Sequence, residues 1–175
     1  MGVKYPGFRN GDRTNIDLPQ VQKNMMKALK ETGKPVIFVL CSGSTMALSW
    51  EDKNMDAILQ AWYPGQEGGT AVADVLFGDY NPAGRLPLTF YASSDDLPDF
   101  ENYNMSEGQG RTYRYFKGKP LYPFGHGLSY TGFSYSKAKL SKKSMRVNDS
   151  VFLSLNLKNT GLRDGDEVVQ VYIRN

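Results

Sequence analysis

The sequence has a single cysteine, Cys41, and a single histidine, His126. One cysteine excludes an internal disulfide. With no His/Cys cluster there is nothing to hold a structural zinc, so neither a metal nor a cofactor is expected. Cys41 ends the apolar run Val36-Ile37-Phe38-Val39-Leu40-Cys41 and is expected to be a small buried thiol, not a nucleophile. No apolar stretch reaches the length of a membrane span. The opening Met1-Gly2-Val3-Lys4-Tyr5-Pro6-Gly7 lacks the apolar core of a signal peptide. Charge of one sign is also scarce: 21 Lys and Arg against 18 Asp and Glu give a net charge of +3, with the basic residues scattered. Neither a nucleic-acid partner nor a membrane partner is expected.

What is present is the composition of a folded domain: 40% hydrophobic and 22% charged residues in 175. That length builds one good core, or one core and part of a second. Aromatic residues reach 13%, with eleven tyrosines. They suit either a β-sandwich core or stacking on sugar rings.

Along the chain, residues 1–17 read as loop. Asp17 is placed to cap a helix that starts near Leu18 and ends at Gly33, with Leu18, Val21, Met25, Ala28 and Leu29 on one face. The uniformly apolar run at 36–41 predicts a strand covered on both faces, as in a parallel sheet. Ser42-Gly43-Ser44 is a turn just past its carboxyl end. A strand is expected at 56–62, a helix at 66–77 and a short strand at 86–91, an α/β arrangement. Residues 92–120 are irregular. From about Ser129 alternation takes over at 133–136, 151–157 and 167–173, with turns at Asn159-Thr160-Gly161 and Asp164-Gly165. The chain opens in loop-like sequence and stops inside a predicted strand, so it is expected to be a piece of a larger protein.

Three stretches carry a resemblance. The first is Trp62-Tyr63-Pro64-Gly65-Gln66-Glu67-Gly68-Gly69, continuing through Ala73-Asp74-Val75-Leu76-Phe77-Gly78 to Asn81-Pro82-Ala83-Gly84-Arg85-Leu86-Pro87. The second is Tyr113-Arg114-Tyr115-Phe116 with Tyr122-Pro123-Phe124-Gly125-His126-Gly127-Leu128-Ser129-Tyr130. The third is Leu157-Lys158-Asn159-Thr160-Gly161 with Asp164-Gly165-Asp166-Glu167-Val168-Val169-Gln170. In order and spacing they resemble the carboxy-terminal part of family 3 glycoside hydrolases of β-xylosidase or β-glucosidase type. Gly110-Arg111-Thr112-Tyr113-Arg114 leans toward the xylosidase and arabinosidase branch.

The resemblance implies that residues 1–131 are the later part of an α/β sandwich domain with a mainly parallel sheet. It implies that 132–175 open a fibronectin type III-like β-sandwich, left incomplete. It further implies a retaining, exo-acting enzyme acting on plant-type oligosaccharides, whose missing amino-terminal barrel carries the Asp nucleophile, in a periplasmic or secreted bacterial parent. The family's acid/base Glu lies upstream of an Asp-Arg pair, here Asp12-Arg13, and no carboxylate stands among Phe8, Arg9, Asn10 and Gly11. Both catalytic carboxyls are therefore expected outside this chain, which alone should be inactive.

Substrate-proximal positions are expected at Asp12, Arg13 and His126. Asp12 and Arg13 are either near the sugar site or simply a loop ion pair, and His126 either faces substrate or packs between domains. Glu67, at the start of a helix, is either the acid/base or a carboxylate favoured by the helix dipole. The Glu107-Gly108-Gln109-Gly110 loop is a lid or a connector. A sandwich short of strands is expected to self-associate or stay poorly ordered. The competing reading is a non-catalytic carbohydrate-binding or structural module.

Overall fold

A computed structural model describes residues 8–9, 12–13 and 15–173. In chain order it contains β1 (Phe8–Arg9), β2 (Asp12–Arg13), α1 (Gln20–Glu31), β3 (Ile37–Leu40), α2 (Ser49–Asn54), β4 (Ala57–Gln60) and α3 (Gly68–Phe77). A 3-10 turn (Ser94–Asp96), the single helical turn α4 (Thr112–Tyr115), β5 (Phe133–Leu140) and β6 (Leu153–Asn159) follow. The described chain falls into two compact units. The first joins the part up to Val72 with Leu86–His126; the second joins Ala73–Arg85 with the part from Gly127 on.

In the first unit, β3 and β4 pair in parallel, Ile37 opposite Ala57 and Leu40 opposite Gln60. The register is pinned where the strands begin: Asp56 accepts the Val36 amide at 2.8 Å and returns its own amide to the Val36 carbonyl at 2.9 Å. That amide, with Lys30 nearby, holds the Asp56 carboxyl below its usual range. Leu18, Met26, Leu40, Met46, Leu48, Met55 and Phe90 form the core. A smaller cluster gathers Ile16, Ala47 and Tyr91.

Several expectations are corrected here. Asp17 does not cap α1: Pro19 holds that position, and Asp17 instead takes Lys23 at 3.5 Å. The buried side of α1 is Met26, 2% exposed, whereas Val21, Met25 and Leu29 are exposed. Positions 25 and 26 lie about 100° apart on a helix, and this sheet contacts only one of the two stripes. β3 is likewise not covered on both faces, because Leu40 is buried while Ile37 is exposed. Cys41, next in that outward alternation, is exposed and not buried. Gly33 does end the helix, at φ +71°.

The strand expected at 86–91 is reduced to one bridge, Phe90 with Tyr122. Leu86 and Phe90 exchange backbone hydrogen bonds with the 121–126 stretch, but Pro87 between them has no amide to donate. Residues 1–17 include a two-residue β1–β2 ladder where only loop is expected. The short helix α2 has no counterpart in the sequence reading.

In the second unit β5 and β6 pair antiparallel, Phe133 opposite Asn159, with a bulge between Ser136 and Lys139. The turn after β6 is built by Asn159, whose side chain accepts the Gly161 amide at 3.0 Å and donates to the Arg163 carbonyl at 2.8 Å. The third strand expected at 167–173 is absent: the segment alternates in sequence, yet the described backbone ladder of this unit joins only β5 and β6. Its anchor is Glu167, which takes the Arg85 guanidinium at 2.5 Å and the Tyr135 hydroxyl at 2.7 Å.

Candidate functional site

A parallel sheet opens its strands' carboxyl ends onto loops, and ligands commonly bind there. In the first unit the turn after β3 and the residues after β4 do form a groove of about 470 Å³, within the roughly 300–1,000 Å³ of small-ligand sites. Arg13, Ser42, Gly43, Ser44, Met46 and Tyr63 carry its chemistry. The Gln60 side chain, ending β4, donates to the Ser42 carbonyl at 2.9 Å and so ties the end of one strand to the turn after the other. The Ser42 hydroxyl donates to the Ser44 carbonyl at 2.9 Å, closing the turn.

Arg13 reaches this turn from β2. Its Nη1 donates to Met46 Sδ at 2.7 Å and its Nη2 to Ser44 Oγ. Both acceptors are neutral, and no carboxylate of the described side chains is within ion-pair distance of the guanidinium. The Tyr63 ring, also lining the groove, closes over Gly43 so tightly that a Cβ at Gly43 would lie 2.4 Å from Tyr63 Cε2. Trp62, just before it, takes φ +56°, a left-handed backbone uncommon for a bulky residue.

Of the candidate site residues named from the sequence whose side chains are described, only Arg13 lines this groove. Asp12 is described by its backbone, paired with Arg9; its side chain lies outside the described residues, as do Asn10 and Gly11. Glu67 is exposed immediately before α3; it accepts the Thr70 hydroxyl at 3.4 Å, and its carbonyl takes the Ala71 amide at 2.9 Å. His126 is half-buried and stacks on Tyr122 at 4.9 Å, the planes 16° apart. Tyr122 in turn donates to Asp52 at 2.5 Å. Burial and that carboxylate push the Tyr122 phenol well above its usual pKa.

Loop 99–117 is heavily tied. Arg111 Nη2 donates to the carbonyls of Asp99 at 3.1 Å and Asn102 at 2.5 Å. The Arg111 amide reaches Met105 O at 2.8 Å, and the Lys117 amide reaches Gln109 O at 2.9 Å. Sequence reasoning named the turn at 42–44 but missed Ser44, Met46 and Tyr63 as site residues. The signal available was that turn's place directly after an apolar strand.

Comparison with known proteins follows the same lines. Residues 5–130 match the family model described as the glycosyl hydrolase family 3 C-terminal domain. The chain is 55% identical over its whole length to a xylan 1,4-β-xylosidase from Xylanibacter ruminicola, covering 20% of that protein. It is 46% identical to a periplasmic β-glucosidase from Salmonella typhimurium over 93% of this chain and 22% of that one. Among solved structures, a β-glucosidase from Erythrobacter marinus superposes with a TM-score of 0.76 at 38% identity, over 93% of this chain and 21% of the other. The chain thus spans about one-fifth of the length of the relatives it matches.

Proposed function

Because the chain belongs to glycosyl hydrolase family 3, we propose that it is the carboxy-terminal part of a retaining, exo-acting β-xylosidase or β-glucosidase that removes terminal sugars from plant-type oligosaccharides. The observation that carries this reading is the full-length match to a β-xylosidase five times as long. Retaining hydrolysis needs two carboxyl groups about 5–5.5 Å apart. No carboxylate of the described side chains lines the groove at the end of β3. The chain's part is therefore to present Arg13, Ser44 and Tyr63 as donors and walls. An amino-terminal barrel, and sequence upstream of this chain, supply nucleophile and acid/base. Asp12 and His126 belong to the substrate's surroundings in the assembled enzyme. Glu67 serves the start of α3.

Residues 1–131 are the later part of the α/β sandwich domain, in keeping with a family match that stops at 130. Residues 132–175 begin a fibronectin type III-like sandwich. Exposed Phe152, Leu153 and Leu157 are consistent with self-association of the isolated chain. A periplasmic or secreted parent agrees with the name of one relative. No described helix is long and apolar enough to cross a membrane.

The stereochemistry of the intact parent tests the mechanism. The sugar first released from an aryl β-xyloside or β-glucoside, followed by proton NMR, should be the β-anomer. Release of the α-anomer would overturn the retaining assignment.

A further inference from the structure

Arg13 is out of balance with its surroundings. A guanidinium offers five N–H donors in a planar fork that matches a carboxylate. Here it is half-buried at the rim of a groove, and its described partners are a thioether and a hydroxyl. Neither acceptor carries charge. Among the described residues lining the groove, Arg13 is the only charged one. A cation with no described acidic partner, facing a recess whose described lining offers hydroxyls and no acid, is complementary to an anion bearing its own planar, two-oxygen group.

Tyr63, which also lines the groove, adds a second requirement. Tyr63 is 80% exposed, so its ring contributes little to the core. It is nonetheless held in a defined place. The backbone at Trp62 is turned into the left-handed region, and the absence of a side chain at Gly43 lets the ring settle against the turn. Strained backbone that sets out an exposed aromatic is a feature of ligand sites. An aromatic face beside hydroxyl and amide donors suits a sugar ring.

We propose that this groove binds a saccharide bearing a carboxylate: a uronic acid, either alone or as a branch on a xylo-oligosaccharide. Arg13 takes the carboxylate and Tyr63 packs on the ring. This rests on reading the chain as part of a family 3 glycosidase and narrows the substrate class of the same site.

Calorimetric titration of the 175-residue chain with three probes tests it: glucuronate, neutral xylotriose, and xylotriose branched with glucuronic acid. The branched sugar should bind at least about tenfold more tightly than the neutral one at low salt, as expected of a charge-assisted contact. The advantage should shrink as salt rises. Arg13→Gln should erase the preference, and Arg13→Lys, which keeps the charge, should retain part of it. Tyr63→Ala should weaken all three probes. Tight binding of glucuronate alone would identify a free uronic acid as the ligand; binding of the branched sugar only would identify the branch.

Equal affinity for acidic and neutral sugars overturns the inference and leaves the glycosidase reading standing. So does a preference that survives Arg13→Gln. If no probe binds, the inference is wrong; if the intact parent also fails to hydrolyse β-xylosides and β-glucosides, the glycosidase reading falls with it.

Discussion

Arg85 Nη2 and Glu167 Oε2 lie 2.5 Å apart although 82 residues separate them, with only 11% and 13% of their side chains exposed. The other guanidinium nitrogen donates to the carbonyls of Ala83 and Gly84, so Arg85 is also bonded to its own loop. Asn81, four residues earlier, donates to the Asp164 carbonyl at 2.8 Å and accepts the Tyr130 amide at 2.7 Å. The stretch after α3 thereby becomes part of the unit that holds β5 and β6.

Arg85→Ala should therefore loosen residues far from it. Removing one member of a nearly buried pair strands the other, and about 2–3 kcal/mol should be lost, less than for a fully buried pair. Hydrogen exchange at 133–140 and 153–159 should accelerate while that at 37–40 stays unchanged. Uniform protection in the variant would mean that the pair contributes nothing.

Two adjacent methionines on α1 should differ sharply. Met26 is 2% exposed and Met25 57% exposed. Met26→Ala should cost about 2–5 kcal/mol in thermal or urea unfolding. Met25→Ala should stay within about 0.5 kcal/mol. Equal losses would show that the helix buries a different face.

Tyr122 sets an alkaline limit. Its phenol is raised by burial and by the Asp52 carboxylate, so the native state keeps its proton after the unfolded chain has begun to lose it. The contribution is complete below the unfolded tyrosine pKa of about 10 and is lost as pH climbs from there toward the native value. Tyr122→Phe should flatten the fall in stability above about pH 10. An unaltered alkaline slope would exclude the Tyr122–Asp52 bond as its cause.

Much of the first unit was readable from local pattern. The run at 36–41 marks β3, and Gly33 marks the end of α1, because apolar blocks and a left-handed glycine act within a few residues. The choice between Met25 and Met26 was not readable: both sit in an apolar stretch, and the sheet decides which is covered. Cys41 failed for the same reason. Alternation at 167–173 gave the faces of a strand but could not supply the neighbour that pairing requires. In the site, Ser42-Gly43-Ser44 announced a turn, and Asp12-Arg13 drew attention through family resemblance. That Arg13 would bond Ser44 and Met46, more than thirty residues on, depends on how β2 meets the turn after β3. The left-handed backbone at Trp62 has no marker in residue type, since tryptophan seldom adopts it.

The most direct test of the central claim is steady-state hydrolysis of aryl β-xyloside and β-glucoside by residues 1–175 alone, set beside the same chain joined to the amino-terminal barrel proposed for the parent. The isolated chain should show no turnover above the uncatalysed rate, and the joined protein should be active. Turnover by residues 1–175 that Glu67→Gln abolishes would contradict the account and make Glu67 the acid/base.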